Sequence, residues 1–417
     1  MYHIQLRNIG PIQEAELQFN HLNVFIGPQS SGKSTIAKII SFCMWLEKDI
    51  ILKQGKAHID KEYLKRELIL FHEMSTYFIE DSFLRFNSSL IDFTFHNLED
   101  FSIHIIGDFQ EECVGKVAYI PSERNVLSIP GISTLPLGYT YVRGFIFDWL
   151  SLRDKYKEAF PLLSLGSAYH YDDQNGDRIS LGKGKDISLS QASSGLQAII
   201  PILVYTHYVT HWVYDNNLDI SFDKYYAIQK VLLKDMVKND NQVREEEEIE
   251  EALKIESLKE QLSKLLSLIY HDIQNTNFRE TADLVSRIGK PHFTNLVIEE
   301  PEMNIFPETQ YTLIKELVGQ MDFSRGDRLT LTTHSPYILT SINNLIQADN
   351  AIREGQDASV VSQVIPSASQ LAFDKVSAWS VSNGTITPIT DSSTQLISAE
   401  ALDSASDYIS SDFDRLI

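Results

Sequence analysis

The feature that most constrains this chain is Gly27-Pro28-Gln29-Ser30-Ser31-Gly32-Lys33-Ser34-Thr35, a Gly-x-x-x-x-Gly-Lys-Ser run entered directly from the apolar stretch Leu22-Asn23-Val24-Phe25-Ile26. That order predicts strand, loop, then helix, with Ile36, Ile39, Ile40 and Cys43 on the helix that starts near Ser34. In such a context the loop N–H groups and the helix N-terminus together cradle phosphate oxygens. Lys33 is expected to reach the β- and γ-phosphates of a nucleotide, and the Ser34 hydroxyl to sit on Mg²⁺. The competing reading, a Gly/Ser-rich loop that merely precedes a helix, does not account for the strand in front of it.

Hydrolysis needs a second half, and the buried-looking strand Asn295-Leu296-Val297-Ile298 ends in Glu299-Glu300-Pro301-Glu302. Glu299 is expected to hold Mg²⁺ through water. Glu300 is expected to act as general base on the attacking water, because that task requires a carboxylate not consumed by the metal. Adjacent acids on an exposed helix are ordinary, whereas at the end of a core strand they are costly charges. A helix from Glu308 to about Met321 leads to a further strand, Arg328 to Thr333, ending at His334-Ser335-Pro336. This strand–helix–strand alternation implies a parallel sheet. It also places His334 where a neutral imidazole bonds the γ-phosphate or the water. A third stretch, Ile187 to Gln197, sets the small residues Ser193-Ser194-Gly195 before an apolar helix, Ala198 to Val209. His3 and His271-Asp272 are read as structural.

Taken in order, phosphate loop, small-residue helix start, paired acids and histidine resemble the ABC-class ATPases, on the branch of structural maintenance of chromosomes proteins, RecF and the overcoming-lysogenization-defect ATPases. The resemblance implies a homodimer or higher homo-oligomer in which Ser193, Ser194 and Gly195 of one protomer contact the γ-phosphate of ATP held by the other, aided by the helix dipole. Ile298-Glu299-Glu300-Pro301-Glu302 and Thr333-His334-Ser335-Pro336-Tyr337-Ile338-Leu339 are similar to ATPase subunits of Septu-like, retron-associated and PARIS-like anti-phage systems. The departures are Glu299 for the aspartate most ABC proteins use, Ser30 for a frequent glycine, Ser193-Ser194-Gly195-Leu196 with Gln197 one position late, and a Met303 to Pro307 loop without histidines. Glu123-Arg124 is the candidate stand-in for the glutamine loop. The segment after His334 is expected to be too short for a TOPRIM nuclease, and Asp412-Phe413-Asp414 reads as a solvated helix face. The resemblance therefore implies an ATPase that controls a separate effector protein, for instance a nuclease, with an ATP-dependent DNA clamp or repair ATPase as the alternative.

Charge bears on that choice. With 57 acidic against 36 basic side chains the formal net charge is −21, which argues against a generally basic nucleic-acid surface and leaves DNA a poorer partner than protein. The first residues alternate like a strand instead of a secretory signal, and the apolar stretches are too short to cross a bilayer. A cytoplasmic protein with no membrane partner is expected.

The expected fold is α/β, a P-loop ATPase head with a mainly parallel core sheet, an antiparallel β lobe and helical insertions. The divisions are residues 1–44 as the first part of the head, 45–88 as a helical insertion, 89–209 as β lobe and signature region, 210–290 as a second helical insertion and 291–417 as the rest of the head. Ile91 to Phe95, Phe101 to Ile105 and Val117 to Ile120 alternate with period two and are assigned to the antiparallel sheet. Ile255, Leu258, Leu262, Leu265 and Ile269 fit either a short coiled coil or an amphipathic helix packed on its own domain.

Overall fold

Residues Tyr2 to Gln18 alternate apolar and polar, and they form the hairpin β1 (His3–Ile9) and β2 (Ile12–Gln18), paired antiparallel with Leu6 opposite Ala15. The computed structural model describes residues 2–53, 55, 59–108, 111–182, 184–215, 287 and 289–398. Most of the expected second insertion, its coiled-coil positions, His271-Asp272 and Asp412 to Asp414 lie outside them. Strand β3 (Leu22–Ile26) is buried at every position, and the chain then turns into helix α1 (Lys33–Leu52).

The expected helical insertion, residues 45–88, is only partly helical. Helix α1 runs past residue 44 to Leu52, and a short helix α2 (Lys61–Leu64) and a π turn follow, but Phe78–Asn87 is strand β4. Its buried residues Ser82, Leu84 and Phe86 fall at period two, facing the sheet's own core. Strands β4, β5 (Ile91–Asn97) and β6 (Asp100–Ile105) extend the antiparallel lobe from β1. A second correction concerns β7 (Gly115–Ile120), which does not join that lobe. It pairs in parallel with β12 (Phe293–Glu299), Ile120 beside Ile298. Period two alone does not say which neighbour a strand finds.

Helix α3 (Tyr141–Leu152) precedes a small antiparallel sheet of β8 (Phe160–Pro161), β9 (Ala168–Asp172), β10 (Gly176–Ser180) and β11 (Asp186–Ser188), whose central hairpin turns through Asp173-Gln174-Asn175, with Gly176 at φ 73° opposite Asp172. Helices α4 (Ser194–His207) and α5 (Val213–Asp215) follow. Beyond β12 come α6 (Pro307–Gln320), β13 (Arg328–Thr333), α7 (Pro336–Arg353) and α8 (Ala358–Val364), then the hairpin β14 (Val376–Ser382) and β15 (Thr385–Pro388). The principal sheet runs β6-β5-β4-β1-β2-β15-β14-β3-β13-β12-β7, and its five strands from β14 to β7 are mutually parallel. The fold is thus α/β, with a mainly parallel core and an antiparallel lobe, as expected.

Side chains of successive residues leave opposite faces of a strand, and this divides the core in two. Leu22, Val24, Leu296 and Ile298 pack with α4, α6 and α7 on one face, while Phe25 and Val297 pack with α1 and the antiparallel lobe on the other. A parallel sheet covered on both faces leaves its strand ends as the accessible edge, where ligands of open α/β sheets bind. Phe25 and its cross-strand neighbour Trp379 stack with ring centroids 4.6 Å apart, locking β3 to β14 beneath that edge. Trp379→Ala should destabilise the fold by about 3–5 kcal/mol, read from the shift of the urea midpoint, and a loss under about 1 kcal/mol would contradict this packing account.

Candidate functional site

The C-terminal ends of β3, β13, β12 and β7 meet along one edge, and each delivers a residue singled out by sequence. After β3 the loop 27–32 closes with Ser30 at φ 59° and Gly32 at φ 109°, both left-handed. Gly32 tolerates that backbone without penalty, and a Cβ there would lie 2.3 Å from Ile12 Cδ1, so the position requires glycine. Pro28, Gln29 and Ser30 form the exposed tip of the loop, while Ser31, Lys33 and Thr35 are buried. The Lys33 ammonium donates to Gly27 O at 2.9 Å and Pro28 O at 2.7 Å, and lies 3.4 Å from His334 Nδ1. Burial pulls its pKa down to about 8, opposed by the carboxylates of Glu300, Glu302 and Glu299.

The two acids after β12 have different surroundings. Glu299 is 2% exposed. It accepts from Ser34 Oγ at 2.7 Å on one oxygen and from the Tyr119 hydroxyl of β7 on the other. Burial raises its pKa, and the Ser34 bond and the Lys38 charge resist that rise. Glu300 is partly exposed, carries a left-handed φ of 44°, and bonds its N–H to Thr332 O at 2.8 Å. Its carboxylate lies 3.3 Å from His334 Nε2. Glu302 Oε1 accepts from the His334 N–H at 2.6 Å, which fixes the turn after β13. The phosphate loop, Glu299, Glu300 and His334 are therefore contiguous.

The small-residue stretch stands apart. Ser193 is the N-cap of α4, its hydroxyl accepting from Leu196 N at 3.4 Å, and a Cβ on Gly195 would lie 2.9 Å from Asn304 O. Ser193, Ser194 and Gly195 thus abut the loop after the paired acids. Among the described residues no hydrogen bond joins them to residues 27–35 of their own chain. Gln197 turns back on the loop, its amide donating to Leu189 O and Ala192 O.

Tyr119, Glu302 and Arg124 border the site in ways that sequence reasoning did not assign to them. Tyr119 sits inside a strand whose partner is far away in the chain, and Glu302 was read only as part of a motif. Arg124, paired with Glu123 as a loop candidate, is wholly buried, with its guanidinium on the Glu299 and Glu300 carbonyls. The Ser34 hydroxyl and the buried Glu299 carboxylate are hard oxygen donors of the kind Mg²⁺ takes. No cluster of three or more His, Cys, Asp or Glu side chains with metal-binding geometry occurs among the described residues, and such a cluster is not needed where substrate and water complete the shell.

A family profile described as an AAA domain matches residues 3–120. No curated protein matches the chain. Among solved structures the chain is similar to the SMC head domain from Thermotoga maritima, at 10% identity and a TM-score of 0.36, covering 93% of this chain and 98% of that one. It is also similar to the recombination mediator protein RecF solved as RecF-ATPrS, at 14% identity and a TM-score of 0.28, covering 93% and 97%. The fold assignment rests on the strand order itself.

Beneath Tyr119, His72 is 2% exposed and its rings neighbour those of Tyr119 and Tyr141. Burial, with the Lys38 charge, lowers its pKa from 6.5 to about 3. Between those values the unfolded chain binds a proton that the folded chain refuses, so this residue makes stability fall on acidification, by up to about 1.4 kcal/mol per pH unit. His72→Leu should unfold in urea with a shallower loss between neutral pH and about pH 5 than wild type. Parallel pH curves for the two proteins would contradict the burial account.

Proposed function

We propose that this chain is an ATP-binding and ATP-hydrolysing enzyme of the ABC class that closes as a homodimer or higher homo-oligomer around ATP. The observation that carries the reading is the convergence of Lys33, Ser34, Glu299, Glu300 and His334 at one sheet edge, with Ser34 Oγ 2.7 Å from Glu299 and Glu300 3.3 Å from His334. Loop N–H groups from Gly27 to Thr35 and the start of α1 bind the phosphates, and Lys33 exchanges its loop carbonyls for β- and γ-phosphate oxygens. Ser34, and Glu299 through water, would hold Mg²⁺, which when bound would supply positive charge against the phosphate oxygens. Glu300 takes the proton of the attacking water, and His334 orients that water or bonds the γ-phosphate.

Ser193, Ser194 and Gly195 complete the site of the second protomer. Support comes from their position at the N-terminus of a 14-residue helix, separate from their own phosphate loop. A separate protein effector, such as the nuclease of an anti-phage system, suits a chain of net charge −21 better than duplex DNA does. Binding to DNA that requires ATP and weakens steeply with salt would move the assignment to a DNA clamp or repair ATPase. Among the described residues no helix is long and apolar enough to cross a membrane.

The proposal separates two variants. Lys33→Ala should abolish measurable nucleotide binding, whereas Glu300→Gln should keep ATP affinity and lose about 10²–10⁴-fold in phosphate release. Equal loss of affinity in both variants would contradict the division of roles.

A further inference from the structure

Arg124 occupies the 3-10 turn Ser122–Ser128 that follows β7, and none of it is exposed. Arginine is almost never fully buried unless its charge is matched, so a guanidinium inside the protein calls for a reason. This one spends its fork on backbone carbonyls from three parts of the chain. Nε donates to Ala198 O at 3.1 Å, Nη1 to Pro121 O at 3.1 Å and Glu299 O at 2.7 Å, and Nη2 to Glu300 O at 2.5 Å. The carbonyls of both paired acids are therefore held by one rigid plane, and that plane is also fixed to the first turns of α4.

The backbone held there is unusual. Glu300 has φ 44° without being glycine, a conformation that costs energy and persists where surrounding contacts determine it. Its N–H is held by Thr332 O and its C=O by Arg124, so the peptide is clamped on both sides. This clamped backbone is what carries the Glu300 carboxylate to 3.3 Å from His334 Nε2. Burial lowers the Arg124 pKa to about 10 against the raising charges of Glu302, Glu300 and Glu123, so the side chain stays protonated at neutral pH.

We propose that Arg124 is a positioning residue that fixes the left-handed backbone of Glu300 against helix α4 and so aims the Glu300 carboxylate at the reacting water. The inference rests on the general-base reading of Glu300 given above. Because α4 begins at Ser194, directly after its Ser193 N-cap, the same side chain ties the helix that serves the partner's nucleotide to the acids that serve its own.

Lysine keeps the charge but replaces the planar fork with a single ammonium, which makes Arg124→Lys the informative variant. It should hold nucleotide affinity within about threefold while kcat falls about 30- to 100-fold, the signature of an interaction that matters in the transition state. In a Glu300→Gln background the same change should cost less than about threefold further, because a positioning residue has nothing left to position. A loss that multiplies in the double variant, or affinity that falls in step with kcat, would overturn the proposal. Failure of the underlying reading looks different: Glu300→Gln alone would then turn over near the wild-type rate, whatever Arg124 does. Arg124→Gln provides the second variant under the same readouts. If neither variant folds by circular dichroism and thermal melting, the positioning role is overturned and Arg124 is a stabilising strut.

Discussion

A carboxylate at the buried end of a core strand must be satisfied by donors or lose its charge, and Glu299, 2% exposed, imposes that condition on everything around it. One oxygen takes the hydroxyl of Ser34 from α1 and the other the hydroxyl of Tyr119 from β7, while its main-chain carbonyl takes Arg124. Helix α1 and the segment of β7 with its following turn, both distant in sequence, are thereby tied to the end of β12. Removing any one donor leaves a buried acceptor short, which costs more than the bond itself contributes. The geometry of the phosphate loop, the paired acids and the turn after β7 is consequently a single arrangement.

Lys33 is the complementary charge. It is 5% exposed, its ammonium rests on the carbonyls of its own loop, and three carboxylates surround it at longer range. Desolvation and attraction act against each other there, and the net lowering to about 8 states that burial wins. Phosphate oxygens would supply the compact anionic partner that loop carbonyls replace poorly. Gly32 beside Ile12 and the stacked pair Phe25 and Trp379 in the strands beneath fix the position of that loop.

Much of this was legible because it is local. The phosphate loop is a run of nine residues, and β12 and β13 announce themselves as short apolar strands ending in charge or histidine. What sequence reasoning missed depends on distant partners. Val117 to Ile120 carries the period of a strand, yet its place beside β12 is decided by Ile120 meeting Ile298, a contact no local pattern encodes. Phe78–Asn87 was hidden by the Lys- and Glu-rich segment before it, although Leu84 and Phe86 already showed the period of a half-buried strand. Arg124 was legible only as a loop candidate beside Glu123, because three of its acceptors are main-chain carbonyls 74 to 176 residues away.

In the proposed assembly this site is completed by a second copy of the chain, with Ser193 to Gly195 of one protomer closing on the nucleotide of the other. The most direct measurement is the solution mass of purified Glu300→Gln by light scattering, with and without ATP and Mg²⁺. The account predicts that the species present without nucleotide, a 47.5 kDa monomer or a multiple of it, shifts to twice its mass when ATP and Mg²⁺ are added. A mass that is the same in both conditions, for a variant that still binds ATP, would contradict it.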